Sequence, residues 1–176
     1  MFDTKIAVVV REDLATWQKL NVVAFLTSGV VGASPGLLGE PYEDAAGNLY
    51  NPLLIQPTIV LGADRETLKT IYGRAMERRV RFSLYIEDMF ATGHDAANRA
   101  TVKQYAPDAM TVVGLALRED KKIVDKITKG AHARLSTVIP AASGNLEPLQ
   151  RLDVRFRGHD REGGAGRPLA LSCNEC

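Results

Sequence analysis

The sequence predicts an α/β domain, a small mixed β-sheet of about four strands with helices packed on it, followed by a C-terminal extension. Three observations carry that prediction. The β-branched run Lys5-Ile-Ala-Val-Val-Val10 has no helical period and suits a strand buried on both faces. After Asp64, a good capping residue, apolar Leu68, Ile71, Tyr72 and Ala75 recur at three- and four-residue spacings, as on one face of a helix. Strand-like and helix-like segments then follow the order β-α-β-α-β-β-α, which builds a small sheet covered by helices.

Each element has its own signal. Arg11-Glu-Asp breaks the first strand, and Asp13 is expected to cap a helix whose stripe is Trp17, Leu20, Val23, Ala24 and Phe25, ending near Ser28-Gly29. Residues 32–57 hold Ser34-Pro-Gly, Glu40-Pro-Tyr, Ala46-Gly-Asn and Asn51-Pro. So much turn chemistry marks a long ordered loop, where binding sites are often built. Residues 58–61 form the second strand. The helix after Asp64 ends on Arg74, Arg78 and Arg79, read as a solvated end matched to the helix dipole. Residues 80–86 read as the third strand and 111–117 as the fourth, with a polar connection between them that contains a helical turn around 96–105. Arg118-Glu-Asp opens a last helix with Ile123, Val124 and Ile127 on one face, closed by Lys129-Gly130.

From about Ala133 the character changes, so residues 1–133 are read as the domain and 134–176 as a tail. The tail is rich in glycine and arginine and keeps no sustained period, so it buries too little apolar surface to offset its chain entropy. It is expected to be disordered or loosely packed. Ser136-Thr-Val-Ile-Pro-Ala and Leu152-Asp-Val-Arg-Phe-Arg-Gly-His-Asp resemble peptides translated from bacterial intergenic palindromic repeats. A basic arm made of Arg151, Arg155, Arg157 and Arg161 is the alternative, interrupted by Asp153, Asp160 and Glu162. Removing 134–176 is expected to leave the thermal midpoint almost unchanged, within about 4–8 °C. A larger drop in a melting experiment would mean that the tail packs on the domain.

Composition narrows the function classes. The chain has 22 basic and 21 acidic residues, a balance unlike that of a strongly basic nucleic-acid binder, which leaves nucleic acid as a partner only through a local patch. Its two cysteines, Cys173 and Cys176, both lie in the last four residues, which disfavours a disulfide-stapled secreted fold. The Cys-x-x-Cys spacing lacks the helix start of a redox motif and the second ligand pair of a zinc site, so it reads as incidental. The apolar run Ile6 to Val10 is five residues, short of the roughly 7–15 of a signal peptide and the roughly 20 of a membrane span. A cytoplasmic, soluble protein without a membrane partner is expected.

No P-loop, dinucleotide fingerprint, nucleophile elbow or zinc-protease motif occurs, so no cofactor is expected. His94-Asp95 is one candidate for acid/base or ligand contact, set against an ordinary polar loop. Ligands of open α/β sheets collect beyond the strand carboxyl ends. That rule selects Arg11 and Asp13 after the first strand, and Glu87, Asp88 and Thr92 after the third, with Lys19 and Asn21 on the helix facing the mouth. A lysine beside a carboxylate and a threonine can hold a water and stabilise an oxyanion. The competing reading is a surface salt bridge with a capping aspartate.

These residues also carry a resemblance. Val8-Val-Val-Arg-Glu-Asp-Leu14, Asp64-Arg-Glu-Thr-Leu-Lys69, Thr111-Val-Val-Gly-Leu-Ala and Ile123-Val-Asp-Lys-Ile-Thr-Lys-Gly130 resemble the corresponding segments of peptidyl-tRNA hydrolase type II. The resemblance spans about residues 5–130. Trp17-Gln-Lys-Leu-Asn-Val-Val-Ala-Phe25 and the stretch from Gly39-Glu-Pro-Tyr-Glu-Asp44 to Tyr50 look like hallmarks of an uncharacterised bacterial offshoot, domain of unknown function 2000. The resemblance implies a peptidyl-tRNA hydrolase type II-like fold. It also implies a catalytic set of Lys19, Asp88, Thr92 and Thr111 acting on an ester between a peptide and its transfer RNA. The hydrolase's Gly-Lys-rich turn is Thr16-Trp-Gln here, and its glutamine and histidine further along that helix become apolar near Val23 and Leu26.

Three functions follow. The preferred one is a domain that binds a small ligand beyond the strand ends, with Arg11, Asp13, Asn21 and His94 as contacts and the 34–57 loop beside Asn21. The second is a hydrolase of an acyl ester, peptidyl-tRNA or a related aminoacyl-type substrate. The third is a structural homodimer held by exposed apolar residues such as Met89 and Phe90.

Overall fold

The computed structural model describes residues 2–133. The expectations for 134–176, including the Cys173/Cys176 pair, the arginine arm and His159, lie outside the described residues.

Strand β1 (Thr4–Arg11) leads into α1 (Thr16–Gly32). A two-stranded ribbon, β2 (Tyr42–Glu43) with β3 (Leu49–Tyr50), precedes β4 (Thr58–Ala63) and α2 (Arg65–Glu77). Then come β5 (Phe82–Ile86), a 3-10 turn over Glu87–Ala91, α3 (Asp95–Val102), β6 (Val112–Asp120) and α4 (Lys121–Ile127). The main sheet has the order β4-β1-β6-β5. β1 runs parallel to β4 and antiparallel to β6, which is antiparallel to β5. The sheet is therefore mixed and four-stranded, as expected.

The layers follow from the two-residue period of a strand. Ile6, Val8 and Val10 pack on one face with Val22, Leu26 and Val30 of α1. Ala7 and Val9 pack on the other with Leu68, Ile71 and Ala75 of α2 and Val124 and Ile127 of α4. Residues Ile6 to Val10 are fully buried, which is why the run carries no polar alternation. A β-bulge opposite Tyr85/Ile86 flips the parity of β6. Val113 accordingly faces the α1 layer, while Leu115 and Leu117 face α2 and α4.

Several local expectations are corrected. Asp13 does not cap α1; Ala15 holds the N-cap position, with the Gln18 side chain accepting from its backbone N–H. The carboxylate of Asp13 is instead drawn to the buried Arg11. The buried stripe of α1 is Val22, Leu26 and Val30, while Trp17, Leu20 and Phe25 are exposed. This helix is apolar almost all round, so periodicity chose the wrong face. It also runs past Ser28-Gly29 to Gly32, because Gly29 serves close packing: a Cβ there would lie 2.4 Å from the Ser83 hydroxyl. Arg118-Glu-Asp prolongs β6, and Asp120 caps α4 by accepting from Lys122 N–H at 2.9 Å. Arg74 is not a solvated helix end; it donates to the carbonyls of Ile127 and Lys129 and holds the C-terminus of α4. Met89 and Phe90 are half-buried and packed against the α1-side core, so they do not present an exposed apolar interface.

Candidate functional site

Strand directions bring the predicted loops together. β1, β4 and β5 all run the same way, so the turn after β1 and the turn after β5 open on one rim of the sheet. The rim is tied by charge. Arg11, only 3% exposed, donates from Nε to Asp13 and from one terminal nitrogen to Glu87 at 3.0 Å. Arg65, at the start of α2, lies 3.8 Å from Glu87 and 4.0 Å from Asp13. The hydrogen bond from Arg11 holds the Glu87 carboxyl below its ordinary range, against the opposing pull of desolvation.

On the α1 side of this rim lies a cavity of about 260 Å³. Its apolar wall is aromatic. Trp17 and Phe90 meet edge-on at 5.9 Å between ring centres, Tyr85 and Phe90 lie at 5.1 Å, and Phe25 and Tyr85 at 5.9 Å. Trp17, Asn21 and Phe25 reach it because residues four apart share one edge of a helix. The polar lining comes from Asn21, Thr92, His94, Asp95 and Asn98. Asn21 donates from Nδ2 to the Tyr85 hydroxyl at 3.4 Å, and burial pushes the Tyr85 phenol above its ordinary value against that hydrogen bond. The Thr92 hydroxyl is shared between the Met89 carbonyl at 2.8 Å and the Asn98 amide oxygen. His94 caps α3, its Nδ1 accepting from Ala97 N–H at 3.2 Å. An adjoining groove of about 550 Å³ continues past Phe25 and Met89 to Leu84 and Val102.

The predicted residues thus fall into separate groups. Asn21, Thr92 and His94 share the aromatic cavity. Arg11 and Asp13 form the ion cluster with Glu87. Asp88 accepts from the Tyr105 hydroxyl at 3.1 Å. Lys19 is half-buried on α1, two residues from both Trp17 and Asn21 and so about 160–200° around the helix from that edge. Thr111 lines a different cavity, of about 240 Å³, on the α2 side with Arg65, Lys69 and Tyr72. The 34–57 loop does not line the cavity that holds Asn21; its residues Leu38, Pro52, Leu53, Leu54, Gln56 and Pro57 border a groove against the C-terminal half of α1. Sequence reasoning missed Tyr85 and Asn98 and assigned Phe90 to an exposed interface. The Trp17/Asn21/Phe25 spacing was the available signal, obscured because both aromatics were read as core.

Among the described residues no helix is long and apolar enough to cross a membrane. No curated protein matches the chain. A solved structure of an Agrobacterium tumefaciens protein of unknown function is 61% identical, with a TM-score of 0.74, over 76% of this chain and 99% of that one. The family model DUF2000, described as a protein of unknown function, matches residues 4–133. With the match running from the first strand through the last helix, the chain belongs to the DUF2000 family.

Proposed function

We propose that the domain binds a small molecule with a flat apolar group in the aromatic cavity between α1, β5 and α3. The observation that carries this reading is the pairing of two exposed rings, Trp17 at 63% and Phe25 at 51%, with the hydrogen-bonding groups of Asn21, His94 and Asn98. Apolar walls with a few convergent polar groups are what small-ligand sites are made of. Covering about 200 Å² of ring at about 25 cal/mol per Å² contributes about 5 kcal/mol. The translational and rotational freedom lost on binding offsets much of that gain, so the polar groups must contribute as well.

Trp17 is the single tryptophan of the sequence, so its fluorescence reports on this cavity alone. Benzamide, indole-3-acetamide and adenosine form a suitable panel, followed by fluorescence and amide NMR. At least one is expected to saturate with shifts confined to Trp17, Asn21, Tyr85, Phe90 and Asn98. Trp17→Ala should weaken it at least about tenfold, a loss of ~1.4 kcal/mol. Shifts scattered over the surface, or none at these residues up to about 10 mM, overturn the reading.

The resemblance of sequence segments to peptidyl-tRNA hydrolase type II supports a second reading, centred on the 3-10 turn beside the cavity. Asp88 belongs to, and Thr92 directly follows, the 3-10 turn that carries Met89 and Phe90 into the cavity wall. In that reading Asp88 positions a water and Thr92 donates a hydrogen bond, while Thr111 lines the separate α2-side cavity and Lys19 does not line the aromatic one, so the four are not gathered at one cavity. Cleavage of peptidyl-tRNA by the purified protein that is lost in Asp88→Asn supports it. No cleavage by the parent, or full activity in the variant, removes it.

A further inference from the structure

On the α2 side of the rim, the cavity of about 240 Å³ takes no part in the aromatic site. Helix α2 forms one wall. Arg65, Lys69 and Tyr72 are four and then three residues apart, so they share one face of that helix. A 3-10 turn over Pro107–Ala109 and the start of β6 form the other wall. Strand directions explain the meeting. β4 feeds α2 at this rim, and β6 runs antiparallel to β1, so its first residues lie at the same rim. The Thr111 carbonyl accepts from Glu87 N–H at 2.9 Å, which fixes the backbone of that second wall.

The polar side chains around this cavity are unspent. Arg11, Asp13 and Glu87 satisfy one another nearby, and Asp88 and Thr92 hold bonds of their own. By contrast, the side chains of Glu66, Lys69, Asp108 and Thr111 make no hydrogen bond or ion pair among the described residues. Arg65 is held loosely, 3.8 Å from Glu87 and 4.0 Å from Asp13. Tyr72 adds an independent observation. It is only 9% exposed, its ring meets Phe82 edge-on, and its hydroxyl makes no hydrogen bond among the described residues. The described side-chain oxygens that are sealed from solvent without a bond belong to Glu12 and Thr58, so the Tyr72 hydroxyl opens onto the cavity this residue lines. Burial, and then the charge of Asp108, push that phenol above its ordinary value, which keeps it a donor. A ligand oxygen arriving there gains a bond that no described protein atom makes.

We propose that this cavity binds a zwitterionic α-amino acid with an apolar side chain. Charge selects the class. Arg65 and Lys69 offer two cations matched to a carboxylate, with the Tyr72 and Thr111 hydroxyls as further donors. Glu66 and Asp108 offer two carboxylates matched to an ammonium. A lone anion would meet those acids and a lone cation the basic pair, so a ligand of one sign loses much of what it gains. Ala109, Met110 and Val112 supply an apolar lining for the side chain. The volume equals about eight waters at ~30 Å³ each, enough for an amino acid the size of leucine.

Amide NMR titration of the full chain with L-leucine tests the proposal. Two probes of the same carbon skeleton each lack one charge: 4-methylpentanoate has no ammonium, and 3-methylbutylamine has no carboxylate. L-Leucine is expected to saturate below about 10 mM, with shifts gathered at Arg65, Lys69, Tyr72, Met110 and Thr111 and none at the Trp17 indole. Both one-charge probes should bind at least about tenfold more weakly. Lys69→Gln and Asp108→Asn change exposed side chains, and Tyr72→Phe removes a hydroxyl that no described protein group bonds, so urea midpoints should stay unchanged. Each of the three should weaken L-leucine at least about fivefold. No saturation, shifts centred on the aromatic cavity, a one-charge probe binding as tightly as L-leucine, or unchanged affinity in any of the three variants overturns the proposal.

Discussion

Gly114→Val is expected to abolish the folded domain, and Gly114→Ala to destabilise it by about 1–3 kcal/mol. Gly114 sits in β6 where α1 crosses the sheet. A Cβ there would lie 2.7 Å from a Val22 methyl, 2.9 Å from a Leu26 methyl and 3.1 Å from the Val9 carbonyl oxygen. The carbonyl belongs to the β1–β6 ladder and cannot retreat, so the helix would have to lift, reopening a core whose residues are fully buried. Urea unfolding checks the magnitude. Part of the alanine cost should vanish in a Val22→Ala background, giving a coupling of at least about 0.5 kcal/mol for residues in contact. Additive costs would show that the close approach of α1 is not what position 114 serves.

The second large effect concerns the rim. Replacing Asp13 and Glu87 together by alanine leaves the Arg11 guanidinium buried without either carboxylate. Breaking a buried pair from one side costs about 3–5 kcal/mol. Here Asp13 and Glu87 are 56% and 45% exposed, so water reaches the site and about 2–4 kcal/mol is expected. Adding Arg11→Met should recover more than half of the loss, because an apolar side chain of similar length fills the space without a charge to compensate. The pH dependence carries its own sign. Glu87 titrates below its ordinary 4.5 because Arg11 hydrogen-bonds the carboxylate. Its contribution is therefore complete above about pH 4.5 and is lost as pH falls through the lower folded value. In Arg11→Met alone, the acid limb of stability below about pH 4.5 should flatten. An unchanged acid limb, or no recovery in the triple variant, would place the stabilising role of Arg11 elsewhere.

The parts legible in the sequence were those set by local chemistry. Asp64 caps α2 through the Thr67 N–H at 2.7 Å, and Leu68, Ile71, Tyr72 and Ala75 are its buried face. Both follow from short-range spacing on an otherwise polar helix. α1 failed the same test, since a helix with apolar residues on every side has no phase until the sheet chooses one. Its rejected stripe supplied Trp17 and Phe25 to the candidate site. Asp13 illustrates the other failure: a good capping residue was claimed by Arg11, a buried cation two positions away.

Local composition, on its own, determined the strands, the α2 cap and the mixed sheet, because β-branched runs and helical spacings act over a few residues. Only tertiary packing decided which side of α1 meets water, and that the rings of residues 17, 25, 85 and 90 gather around one cavity. It also decided that the 37–56 segment stands out as a ribbon. Each of these depends on contacts between residues far apart in the chain, whose free energy no short window contains.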